Sequence, residues 1–141
     1  MAFPASGGIQ FRPGQGTLFV DNVVDPTNAP VEVLDIATGF DVVGRVVLPN
    51  WLTGTGDVSI IADERGGPFD QAVAKATLTI TGGAAGGAMT VTYPYSINVK
   101  APAMPAGPKL YKLSAMFVFL TAAGASTGIV GFSDIGEFLV N

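Results

Sequence analysis

The sequence predicts an all-β domain, a single antiparallel β-sandwich of about seven to eight strands. Three observations predict it. Apolar and polar residues alternate with period two along several separate stretches, the pattern of a strand with one buried face. Clusters of Gly, Pro, Asn and Asp punctuate those stretches at the intervals sandwiches use. No long stretch keeps a helical period; the nearest, Gln71 to Lys75, is too short to count.

The elements follow in order. Residues 1–16 are Gly-rich and carry Phe3, Pro4, Phe11 and Pro13, and they read as an N-terminal arm ahead of a sandwich domain spanning 17–141. Thr17 to Val24 is strand-like, and Asp25-Pro26-Thr27-Asn28 stops it with turn chemistry. Val31 to Asp35 is a short strand. From Phe40 to Leu48 the alternation is strong: Phe40, Val42, Gly44, Val46 and Leu48 share one face, Asp41 and Arg45 the other. Pro49-Asn50 ends that strand and leaves Trp51 in a connection. Asp57 to Ala62 alternates again, with Val58, Ile60 and Ala62 on one side. Asp63 to Pro68 reads as a loop.

Ala74 to Thr81 places Lys75, Thr77, Thr79 and Thr81 outward and Ala76, Leu78 and Ile80 inward. Gly82 to Gly87 is a glycine-rich connection. Met89 to Val99 resumes as strand, with Pro94 demanding a bulge, a bend or an edge. Ala101 to Pro108 is too rich in proline to hold a ladder. Leu110 to Leu120 and Ile129 to Val140 complete the set, the last interrupted near Ser133-Asp134. The expected core is Val42, Val46, Ile60, Leu78, Ile80, Leu113, Phe117 and Phe119.

One local pattern carries a family resemblance. Gly107-Pro108-Lys109-Leu110-Tyr111-Lys112-Leu113 resembles the tyrosine corner of immunoglobulin-like sandwiches, where a tyrosine opens a late strand two residues before an inward core position. The resemblance implies that the Tyr111 hydroxyl bonds to backbone a few residues upstream and that Leu113 stands where those domains carry a cysteine. Gly107 occupies the place of the usual aspartate. Trp51 precedes the next strand rather than lying within it.

Composition narrows the chemistry. The chain holds neither cysteine nor histidine. That removes disulfides, thiol nucleophiles, the commonest zinc ligands and the commonest general base. Serines are present without a histidine to activate one. Net charge is −4 and the seven Lys and Arg are scattered, so nothing resembles a nucleic-acid stripe. Leu113 to Ser133 lacks charge, but Ala122 to Gly128 suits a hairpin connection better than a membrane midpoint, so no membrane span is expected. Met1 to Gly8 has no basic and apolar run of the secretory kind, so the expectation is cytoplasmic synthesis and assembly, or a place in a virion.

The candidate sites are few. Asp63, Glu64 and Asp70 gather oxygen ligands of the sort calcium takes, as do Asp21, Asn22, Asp25 and Asn28; solvated loops and Asx turns explain both, and no metal is expected. A carboxylate pair across a cleft would suit a glycosidase, yet no supporting motif accompanies one. Trp51, Tyr93 and Tyr95 are candidate sugar-stacking aromatics, with burial in the core or in a subunit contact as the plainer role. Gly82 to Gly87 lacks the following helix and Lys-Ser/Thr of a phosphate loop. No catalytic or cofactor-binding residue is assigned.

What remains is surface. Charged residues make up 13% of the chain and mean hydropathy is +0.46, about half the charge of an ordinary soluble domain. A domain of this size normally covers itself with charge; one that does not either hides surface against partners or is polar through Thr, Ser, Asn and Gly, and the first reading is the one favoured. The expectation is a non-catalytic structural subunit that self-assembles into a homo-oligomer, filament, shell or virion component, through the N-terminal arm. The alternative is a glycan- or protein-binding module using loop aromatics.

Overall fold

The computed structural model describes residues 16–25, 33–83, 87, 89–105, 107–120, 123 and 126–141. Described residues form strands and connections, with no helix among them. The strands are β1 (Thr17–Val24), β2 (Val33–Leu34), β3 (Phe40–Pro49), β4 (Gly54–Glu64), β5 (Asp70–Ile80), β6 (Thr90–Val99), β7 (Lys109–Leu120) and β8 (Ser126–Val140). They make a three-stranded sheet in the order β1-β3-β6 and a five-stranded sheet in the order β2-β8-β7-β4-β5. The chain therefore changes sheet between β1 and β2.

Every pairing is antiparallel except one. β2 runs parallel to β8, with Val33 opposite Leu139 and Leu34 opposite Val140. The expected all-antiparallel sandwich is corrected on this point. A strand that follows β1 across to the other sheet meets the outer edge of β8 running the same way. Asn141 N–H then donates to the Leu34 carbonyl at 2.8 Å, which extends the pairing past the last strand residue.

Inward residues follow the alternation read from the sequence. Val42, Val46 and Leu48 of β3, Val58, Ile60 and Ala62 of β4, and Leu113, Ala115 and Phe117 of β7 are wholly buried between the sheets. Phe40, Ile80, Tyr111, Phe119 and Phe138 join them. Leu78, expected in the core, is only half-buried. It lies on β5, the last strand of its sheet, where β4 shields one side and nothing described pairs with the other.

Two bulges curl the larger sheet. Ile60 and Ile61 pair with Ala74 and Ala72, leaving Val73 as the extra residue on β5. Leu113 and Ser114 pair with Gly136 and Asp134, leaving Ile135 extra on β8. The second bulge falls where an interruption near Ser133-Asp134 is expected, and β8 bends there without breaking. β4 and β5 also run further than the alternation suggests: Asp63 and Glu64 are ladder residues, and the connection shrinks to Arg65–Phe69. Pro94 stands opposite Arg45 in β6, at the edge of the smaller sheet, where its missing N–H costs no ladder bond. Of the N-terminal arm, residues 1–15 lie outside the described residues.

Candidate functional site

The tyrosines divide differently from expectation. Tyr111 is fully buried, as the corner resemblance implies, but the structure gives its hydroxyl no hydrogen-bond partner. The implied backbone bond is absent. Tyr95 makes the equivalent contact instead. Its hydroxyl donates to the Phe19 carbonyl at 2.6 Å, reaching from β6 across β3 to β1. Gly44 is what permits this: a Cβ there would collide with both the Tyr95 hydroxyl and the Phe19 oxygen. Burial, reinforced by the Asp21 carboxylate, holds the Tyr95 hydroxyl well above its ordinary pKa. Tyr93 is buried too, and its hydroxyl accepts from Gly82 N–H at 3.0 Å. Neither Tyr93 nor Tyr95 offers a ring face to a ligand.

Trp51 does. It is 67% exposed, on the turn between β3 and β4. That turn is pinned: Asn50 N–H donates to the Met89 carbonyl at 2.9 Å, and Gly83 N–H donates to the Asn50 carbonyl at 2.8 Å. A groove of about 370 Å³ runs beside it, lined by Pro49, Asn50, Trp51, Met89 and Thr90. The described residues around it, 48–56, 78–83 and 89–92, include no charged side chain. Of the glycine-rich connection, Gly82 and Gly83 thus serve to hold the Trp51 turn.

The opposite end of the sandwich is charged. Glu64 ends β4 buried, with its carboxylate 2.7 Å from Lys109 Nζ. Gly67 leaves room for it, since a Cβ there would collide with Glu64 Oε2. The hydrogen bond and the charge of Glu64 together raise the pKa of Lys109. Arg65 pairs with Glu137 at 3.0 Å. The three carboxylates weighed for calcium do not converge. Asp63 and Asp70 are cross-strand neighbours on the outer face, while Glu64 turns inward to Lys109. Among the described residues no three acidic side chains come together as a metal site. In the second oxygen-rich stretch Asp21 pairs with Arg45 at 3.2 Å, and Asn22 Oδ1 accepts from Val23 N–H. Asn28 lies outside the described residues.

A third surface was not anticipated. On the outer face of the larger sheet Val130 and Phe132 stand 43% and 37% exposed, opposite Val118 and Met116 of β7. A charged band follows, with Lys112 opposite Glu137 and 3.7 Å from Asp134. Leu110, Leu139 and Val33 form a second apolar patch beyond it, adjacent across β7, β8 and β2. The signal was present in the sequence: the outward positions of Leu110 to Leu120 include Met116 and Val118. Lys112 and Ser114 mark that face as the outer one, and Met116 and Val118 leave its far end apolar.

These features define the class: an all-β, sandwich-like domain with exposed apolar patches on the outer face of its larger sheet. No family model matches the sequence, and no curated protein does. Among solved structures, the C-terminal domain of Wzt aligns with a TM-score of 0.59 at 13% identity, over 99% of this chain and 80% of that one. The likeness is one of fold. No helix among the described residues is long and apolar enough to cross a membrane.

Proposed function

We propose that this chain is a non-catalytic structural subunit that assembles with copies of itself. The observation that carries the reading is the outer face of β7 and β8, where two apolar patches flank a band of paired charges. Apolar surface returns roughly 25 cal/mol per Å² on burial. A charge-poor domain also has few ions to desolvate when that surface is covered. The paired band fixes orientation between copies more than it adds affinity. Size-exclusion chromatography with light scattering, followed by electron microscopy, tests the reading. A mass of several chains that persists on dilution is expected, and a monomer at high concentration overturns it.

The strand order supports placing the sandwich with the immunoglobulin-like superfamily. If β1, β3 and β6 are taken as strands A, B and E, the other sheet reads G-F-C-C′ with β2 beside G, the grouping of the variable type. Tyr111 then opens strand F, and Leu113 is its inward core residue.

A second reading is favoured by Trp51 alone. An exposed indole on a pinned, uncharged turn is a ready stacking platform for a neutral sugar or an apolar partner. Trp51 is the single tryptophan of the chain, so its fluorescence reports that turn and nothing else. Titration with neutral oligosaccharides shifts the emission if this reading holds. Unchanged emission together with a large assembly leaves the structural role standing.

A further inference from the structure

We infer that two copies of this chain pair edge to edge through β5, antiparallel, about a two-fold axis at Thr77. The inference rests on the self-assembly reading and names one of its contacts.

Unpaired sheet edges invite pairing with another chain, and proteins usually blunt them. Three edges here are blunted. β8 is paired with β2 at Leu139–Val140 and before that carries Gly131, Gly136 and the bulge at Ile135, β6 carries Pro94 in mid-strand, and β1 is bulged between Val20 and Asn22. β5 is the exception. Past its own bulge at Val73, the run Ala74–Ile80 pairs residue for residue with β4 from Ile60 to Gly54. It holds no Pro or Gly, and among the described residues its far side pairs with nothing. Its inward residues Ala74, Ala76 and Leu78 are only partly buried, while their β4 neighbours Ile60 and Val58 are wholly so. The core is left open along this rim.

The run is complementary to itself, as a two-fold contact requires. With Thr77 opposite its own copy, the whole of Ala74–Ile80 overlaps. On the inner face Ala74 then meets Ile80 and Ala76 meets Leu78, small against large at each place. On the outer face Lys75 meets Thr79 and Thr77 meets Thr77. The one charge in the run, Lys75, faces no like charge in that register and lies 3.8 Å from Asp57 of its own β4.

The chain has no cysteine, so a single introduced thiol reports on its own position. Directly opposed residues on antiparallel strands have Cα atoms about 4.5–5.5 Å apart, within the range a disulfide spans. In the full chain, Thr77→Cys under mild oxidation should give a disulfide-linked dimer at least tenfold faster than Thr92→Cys, an exposed control on β6. Thr77→Lys sets like charges against each other on the axis, while Asp57, which accepts from the Thr77 hydroxyl at 2.8 Å, can hold the new ammonium within each copy. That variant should keep the wild-type circular dichroism spectrum and a cooperative melt, and lose a factor of two in mass. Equal rates of cross-linking, or a Thr77→Lys protein of unchanged mass, overturns the edge pairing. If the wild type is nonetheless oligomeric, the assembly reading survives that result; a monomeric wild type overturns both.

Discussion

At the scale of single residues, Tyr95 and Tyr111, buried on facing sheets, make opposite predictions. The Tyr95 hydroxyl satisfies the Phe19 carbonyl. Tyr95→Phe leaves that oxygen without its partner and should cost about 1–2 kcal/mol in a urea melt. The Tyr111 hydroxyl bonds to nothing. Tyr111→Phe removes a buried polar atom without orphaning another, and the midpoint should stay or rise. A matching loss at Tyr111 would show that its hydroxyl has a partner after all. Both hydroxyls are raised in pKa by burial, Tyr95 further by Asp21 and Tyr111 further by Glu64. The folded protein therefore keeps protons that the unfolded chain releases above about pH 10. Stability is fully present below that pH and falls as pH climbs beyond it. Urea midpoints measured across this range should decline for the wild type and decline less steeply for Tyr95→Phe.

At the scale of elements, β7 is the strand on which the core turns. It lies between β4 and β8, and Tyr111, Leu113, Ala115, Phe117 and Phe119 all point inward. Phe117→Ala should cost about 3–5 kcal/mol; a melting temperature within a degree or two of wild type would mean the ring is not packed. The strand was legible because its alternation is long and its inward residues are large. β3 was legible for the same reason, with Asp41 and Arg45 marking its outer face. The ends of β4 and β5 were not. Asp63 and Glu64 look like loop residues, and only the third dimension shows Glu64 buried against Lys109 from another strand. Pairing of β2 with β8 was equally hidden, because a two-residue strand has no period to read. Of the candidate sites, the residue types excluded by composition needed no structure. Which of Trp51, Tyr93 and Tyr95 faces solvent depended on how Gly44 admits the Tyr95 hydroxyl and how the Gly82 N–H meets that of Tyr93, a matter of backbone approach that no side-chain pattern records.

At the scale of the whole molecule, charge is uneven along the strand axis, with Asp21–Arg45 and Asp57–Lys75 lying between the two ends. Ion pairs Glu64–Lys109, Arg65–Glu137 and Lys112–Asp134 crowd one end, and the Trp51 groove occupies the uncharged other. Gly16, where the described chain begins, packs against Val47 and Leu48 at that uncharged end. The segment before it carries Phe3, Ile9 and Phe11, apolar residues that suit a contact there with a neighbouring copy. Deleting residues 1–16 should leave a folded β domain by circular dichroism and lower its oligomeric mass. A truncated chain that assembles as well as the full one would remove the arm from the interface.

Residues 16 and 141 stand at opposite ends of the sandwich, since Thr17 pairs with Val47 near the close of β3 and Val140 pairs with Lys109 at the opening of β7. Tension applied between them runs along the strands. The β1–β3 and β7–β8 ladders are then loaded in shear, with many hydrogen bonds sharing the force at once, and the parallel β2–β8 contact resists in the same sense. A pull between residues 16 and 51, both at the uncharged end, would open the β1–β3 ladder one bond at a time. Single-molecule stretching across the first pair of points should therefore need a markedly larger force than across the second, since strands resist sliding past one another far better than being peeled apart from one end.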